Sequence, residues 1–89
     1  MKNQLDDLRK DIDLIDSQIV SLLGKRLSIV KEIGKLKLQK HLPPLDPLRW
    51  RKVLDAIVKK GKELKIDEDL LKKIYEEIHK DSLKIEKSL

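Results

Sequence analysis

Gln4 to Lys40 reads QLDDLRKDIDLIDSQIVSLLGKRLSIVKEIGKLKLQK. A seam runs through it at alternating steps of three and four: Leu5, Leu8, Ile12, Ile15, Ile19, Leu22, Arg26, Ile29, Ile33 and Leu36. That spacing keeps one face of an α-helix apolar from end to end, and it survives Gly24 and Gly34, each costing about 1 kcal/mol relative to alanine. Arg26 alone interrupts the apolar pattern. A guanidinium cannot shed its proton and is costly to bury without a partner, so its place on the packing face points to an anion that meets it there.

Downstream, His41-Leu42-Pro43-Pro44-Leu45-Asp46-Pro47 breaks the helix, because prolines remove donors and push their predecessors out of helical geometry. Asp46-Pro47 is a helix start: aspartate caps free amides and proline occupies the first helical position. The second helix is expected from Pro47 to about Lys60, with Gly61 closing it. Asp67 offers the next cap, and Leu70, Leu71, Ile74, Ile78, Ile85 and Leu89 mark the packing side of a third helix. Nothing reads as strand, repeat or low-complexity linker. The expectation is an all-α chain, residues 1–89 forming a single domain of three helices with a very long first helix.

Geometry then bears on assembly. A helix of about 35 residues is about 50 Å long, whereas a compact chain of this size has a diameter of about 30 Å. Two shorter helices cannot cover the whole seam, so a second copy is expected to complete the core as a helical homodimer. A plain coiled-coil or helical-hairpin interaction module is the alternative that periodicity alone allows.

Composition excludes other classes. The chain has no cysteine and two histidines, His41 and His79, far apart in sequence; no disulfide and no metal site are expected. The net charge is +5 from 21 basic and 16 acidic residues, with the signs interspersed rather than blocked, which describes a solvated helix surface. With Trp50 and Tyr75 as the aromatic complement, a nucleic-acid partner is not expected. No stretch reaches the roughly twenty apolar residues that span a bilayer, and Met1 to Lys10 are polar rather than signal-like, so a cytoplasmic protein without a membrane partner is expected.

Arginine placement is selective. Of the 21 basic residues, Arg9, Arg26, Arg49 and Arg51 are the arginines. Lys37 follows Arg26 by eleven residues, which returns it to within about 20° of the same helix face. Two long cations on one side could close on a small dianion. On the third helix, Ser82 falls in a gap of the apolar spacing and Glu86 follows at i+4, placing a hydroxyl and a carboxyl on a second wall.

In these positions the chain resembles the all-helical chorismate mutases: Leu8-Arg9 before Ile12, Ile15-Asp16, Leu22-Leu23, Lys25-Arg26, Ile33-Gly34-Lys35, Lys37, Asp46 with Arg49, Gly61-Lys62 and Asp81-Ser82. No single element is specific; the ordered set is. The resemblance implies an intertwined homodimer and a cofactor-free pericyclic conversion of chorismate to prephenate in aromatic amino-acid biosynthesis. It assigns the two substrate carboxylates to Arg26 and the partner's Arg9. Lys37 would donate to the ether oxygen and help hold a carboxylate; the loop backbone at Asp46 would receive the substrate hydroxyl, with Arg49 supporting that corner. Ser82 would add a polar contact, and Glu86 would face the ether oxygen. Arg26, Lys37 and Glu86 are thus the expected catalytic residues. Simpler roles remain open, as surface cations for Arg9 and Arg49 and as an N-cap for Asp46.

Two departures matter. Trp50 stands where the family usually has a glutamate accepting from the substrate hydroxyl, and indole donates but does not accept. Glu86 stands where many members have glutamine; an ionised carboxylate there would repel the growing oxyanion, so Glu86 must carry a proton to assist. An isochorismate pyruvate-lyase of the same fold, or a catalytically weak helical dimer with a binding or regulatory role, are the alternatives.

Overall fold

The computed structural model describes residues 3–89. Three helices follow in order: α1 Gln4–Gln39, α2 Pro47–Glu63 and α3 Glu68–Lys87, with no strand among the described residues. Each start carries a side-chain cap. Asn3 accepts from the Leu5 amide at 3.0 Å, Asp46 from the Arg49 amide at 3.1 Å, and Asp67 from the Leu70 amide at 2.9 Å, satisfying donors that helix geometry leaves free.

The C-terminal ends of α1 and α2 share one construction. After α1, the His41 amide donates to the Leu38 carbonyl and the Leu42 amide to the Lys37 carbonyl; after α2, Lys65 donates to Lys62 and Ile66 to Gly61. These are paired Schellman bonds, and they require His41 and Lys65 to adopt left-handed φ values of 56° and 57°. Gly61 therefore does not close α2. It lies buried inside the last turn, where a Cβ would run into the Leu71 side chain of α3; its part is a close helix contact, and Lys65 makes the turn. Because a left-handed conformation costs a side-chain-bearing residue about 1 kcal/mol, Lys65→Gly is expected to stabilise the fold by about 0.5 to 1 kcal/mol in denaturant unfolding. A destabilised variant would show that something other than backbone strain governs this turn.

Helix α3 packs on both α1 and α2, which make no extensive contact with each other. On α1 the stripe turned toward α3 is Arg26, Leu27, Val30, Gly34 and Lys37. Gly34 is buried because a Cβ there would meet Leu89 and lie 3.1 Å from the Glu86 Cγ. The stripe flanks the apolar seam rather than coinciding with it. Ile29, Ile33 and Leu36 stay 55, 44 and 49% exposed, and Ile12, Ile15 and Ile19 about as much. Among the described residues Val30 is the buried hydrophobic side chain.

That leaves an unusually open molecule. Its extents are 61 × 25 × 15 Å and its radius of gyration is 16.8 Å, against about 12 Å for a compact chain of this length. It exposes 7772 Å², whereas a compact monomer of 10.4 kDa exposes about 5,400 Å². The surplus is roughly 2,400 Å², and the apolar seam of α1 lies exposed along its length.

Candidate active site

Three turns of α1, the loop into α2 and the last turns of α3 meet around one cavity of about 250 Å³. From α1 come Arg26, Val30, Ile33 and Lys37, spaced 4, 3 and 4 and hence on one face. The loop and the first turns of α2 bring Pro44, Asp46, Arg49, Trp50 and Val53; α3 brings His79, Ser82, Leu83 and Glu86, again spaced for one face. Larger depressions of about 490 and 790 Å³ lie along α1 and α3 among Val20, Leu22, Leu23, Ile74 and Ile78. They share Arg26 but lack the cation cluster, and they continue the exposed seam.

Within the cavity the polar groups hold one another. Arg26 Nη1 donates to Ser82 Oγ at 2.9 Å, and Ser82 Oγ donates in turn to the Ile78 carbonyl at 2.9 Å. One hydroxyl thus accepts from the guanidinium and spends its proton on the helix backbone, which fixes the direction Arg26 points. Lys37 Nζ donates to the Pro44 carbonyl at 2.6 Å, tying the end of α1 to the proline loop, and lies 2.8 Å from Glu86 Oε1. Glu86 is buried, and Oε1 makes no aligned hydrogen bond; the contact with Lys37 is ionic rather than directional. The Asp46 carboxylate is engaged as the N-cap of α2.

Of the positions expected from sequence, Arg26, Lys37, Asp46, Arg49, Ser82 and Glu86 surround this one cavity. Arg9 does not. It is exposed and 3.8 Å from Asp6 Oδ1, and seventeen residues of helix separate it from Arg26, about 25 Å along the axis. Summed over the chain's own wall, Arg26, Lys37 and Arg49 against Asp46 and Glu86 leave a formal charge of 3 − 2 = +1.

His79 enters the site without having been anticipated as part of it. Its ring stacks on Trp50 with centroids 4.0 Å apart and planes within 6°, closing the wall between α2 and α3. Its distance of three residues from Ser82 and seven from Glu86 was a usable signal, since it puts all three on one face. Burial, then the Arg26 guanidinium and more weakly the Lys37 ammonium, push the His79 imidazole below its ordinary 6.5, with Glu86 opposing.

Comparison with known proteins gives a consistent picture. A family model described as chorismate mutase type II matches residues 8–87. The chain is 37% identical over 76 residues to a chorismate mutase of Methanocaldococcus jannaschii, covering 85% of this chain and 77% of that one. It is 36% identical over 89 residues to a bifunctional chorismate mutase/prephenate dehydratase of Aquifex aeolicus, covering 97% of this chain but 25% of the relative. The chain thus spans about a quarter of the bifunctional relative's length. Among solved structures, a conserved hypothetical protein from Pyrococcus furiosus superimposes with a TM-score of 0.74 at 35% identity, over 97% of this chain and 99% of that one.

Proposed function

Since the chain belongs to the chorismate mutase type II family, we propose that it rearranges chorismate to prephenate in a cytoplasmic homodimer whose sites each take Arg9 from the partner. One observation carries the reading: the cations Arg26, Lys37 and Arg49 converge with Ser82 and Glu86 on a single small cavity. No helix of the described residues is long and apolar enough to cross a membrane.

The reaction breaks an ether C–O bond as a C–C bond forms within one molecule, so no nucleophile or cofactor is required. The tasks are to hold a flexible dianion in its reactive chair and to stabilise charge growing on the ether oxygen. Arg26, braced by Ser82, suits a carboxylate; Lys37 suits the ether oxygen.

In the unliganded site Lys37 leans on Glu86. For Glu86 to assist at the ether oxygen it must become a donor, releasing Lys37 to the substrate. Glu86→Gln places a neutral donor of similar shape at that position and frees Lys37, so it is expected to retain or raise turnover of chorismate; a loss as large as that of Lys37→Ala would remove Glu86 from the ether oxygen. The primary test is prephenate formation from chorismate by the purified dimer. Salicylate and pyruvate from isochorismate would assign the lyase instead, and inertness toward both would leave a binding dimer.

A further inference from the structure

Building on the mutase reading, we propose that His79, held flat against Trp50, is a substrate-contacting residue that accepts the hydrogen bond of the substrate's ring hydroxyl. Chorismate is a dianion whose one hydroxyl is its sole hydrogen-bond donor, and a cavity rich in cations offers that proton few acceptors. Of the two carboxylates in the wall, Asp46 has Oδ1 engaged by the Arg49 amide and Glu86 has Oε1 against Lys37, so one oxygen of each, with the loop backbone at Asp46, makes up the other acceptors. The Trp50 indole cannot accept. His79 is different, for no hydrogen bond joins its ring nitrogens to the side chains around it, and a neutral imidazole carries one acceptor nitrogen.

The stack explains how a flexible side chain is held for the purpose. Near-parallel rings at 4.0 Å fix the plane of the imidazole, and both nitrogens lie at its edge, clear of the indole face. The groups facing His79 are Arg26 and Lys37 from α1, Asp46 and Arg49 from the start of α2, and Glu86 on its own helix. Burial and the α1 cations oppose protonation, so the accepting form prevails at neutral pH. The sign follows: because kcat/KM reports the free enzyme, the contribution is present above the depressed His79 pKa and is lost as pH falls through it.

The test uses two variants and two substrates on the whole 89-residue chain, with unfolding curves taken alongside. His79→Phe preserves an aromatic ring for Trp50 and deletes the nitrogens; His79→Gln abandons the stack and restores an acceptor. With chorismate, His79→Phe is expected to lower kcat/KM by about tenfold, the worth of one hydrogen bond to substrate, and His79→Gln to recover most of it. With the analogue lacking the ring hydroxyl, wild type and His79→Phe should react alike. The wild-type decline below neutrality should be absent from His79→Gln. Full activity of His79→Phe, or equal losses on both substrates, would reduce His79 to a packing partner of Trp50. Failure of wild type to turn over chorismate would instead overturn the mutase reading itself.

Discussion

Lys37→Ala and Arg26→Ala are each expected to cut turnover by roughly a hundredfold or more, since removing one preorganised donor from an active site costs about 2.7 to 4 kcal/mol of barrier. The two losses should differ in their structural side effects. Arg26 lies half-exposed and its partner is a neutral hydroxyl that keeps its bond to the Ile78 carbonyl, so Arg26→Ala should leave unfolding nearly unchanged. Lys37→Ala strands the buried Glu86 carboxylate, and an unpaired buried charge is destabilising on the order of a few kcal/mol. Adding Glu86→Gln to Lys37→Ala should therefore restore stability without restoring turnover. Steady-state rates and denaturant unfolding of the three variants check this. Near-wild-type turnover of Lys37→Ala, with its stability loss repaired by Glu86→Gln, would make the lysine a structural counter-ion and no more.

What the sequence made legible is local. The start of α1, the proline break, and the caps Asp46 and Asp67 follow from the chemistry of single residues and their neighbours, and α1 and α3 run as the spacing indicates. Features set by a second helix were not legible in the same way. Gly61 looked like a terminator because glycine commonly is one; only the approach of Leu71 reveals it as a contact surface. The turn after α2 instead falls on Lys65, a residue with no left-handed preference to advertise it. The seam's period was readable, but not that α3 would take its flank, Arg26 through Lys37, and leave the seam open. At the site, helical spacing alone puts Arg26 with Lys37 and Ser82 with Glu86. The Lys37–Glu86 contact and the Trp50–His79 stack join residues 49 and 29 positions apart, and no periodicity within one helix encodes such pairs.

Ile15→Glu is expected to take the protein apart as a dimer, and the reasoning turns on where Ile15 stands. It is 48% exposed in the single chain, on the N-terminal half of α1 and outside the cavities described above. About half of its surface is left uncovered by its own chain. A surplus of roughly 2,400 Å² per chain would bury about 4,800 Å² across two copies, the size of an obligate interface. In a twofold assembly the substitution acts twice. Each copy forfeits about 1 kcal/mol or more of apolar burial and adds an uncompensated carboxylate costing several kcal/mol. A total of at least about 4 kcal/mol weakens association a thousandfold, so wild type should sediment as a dimer at micromolar concentration and Ile15→Glu as a monomer, largely unfolded. Turnover should vanish with the dimer, because the partner's Arg9 departs with it and the dianion loses a cation. A folded, active Ile15→Glu monomer would remove both the dimer and the shared site.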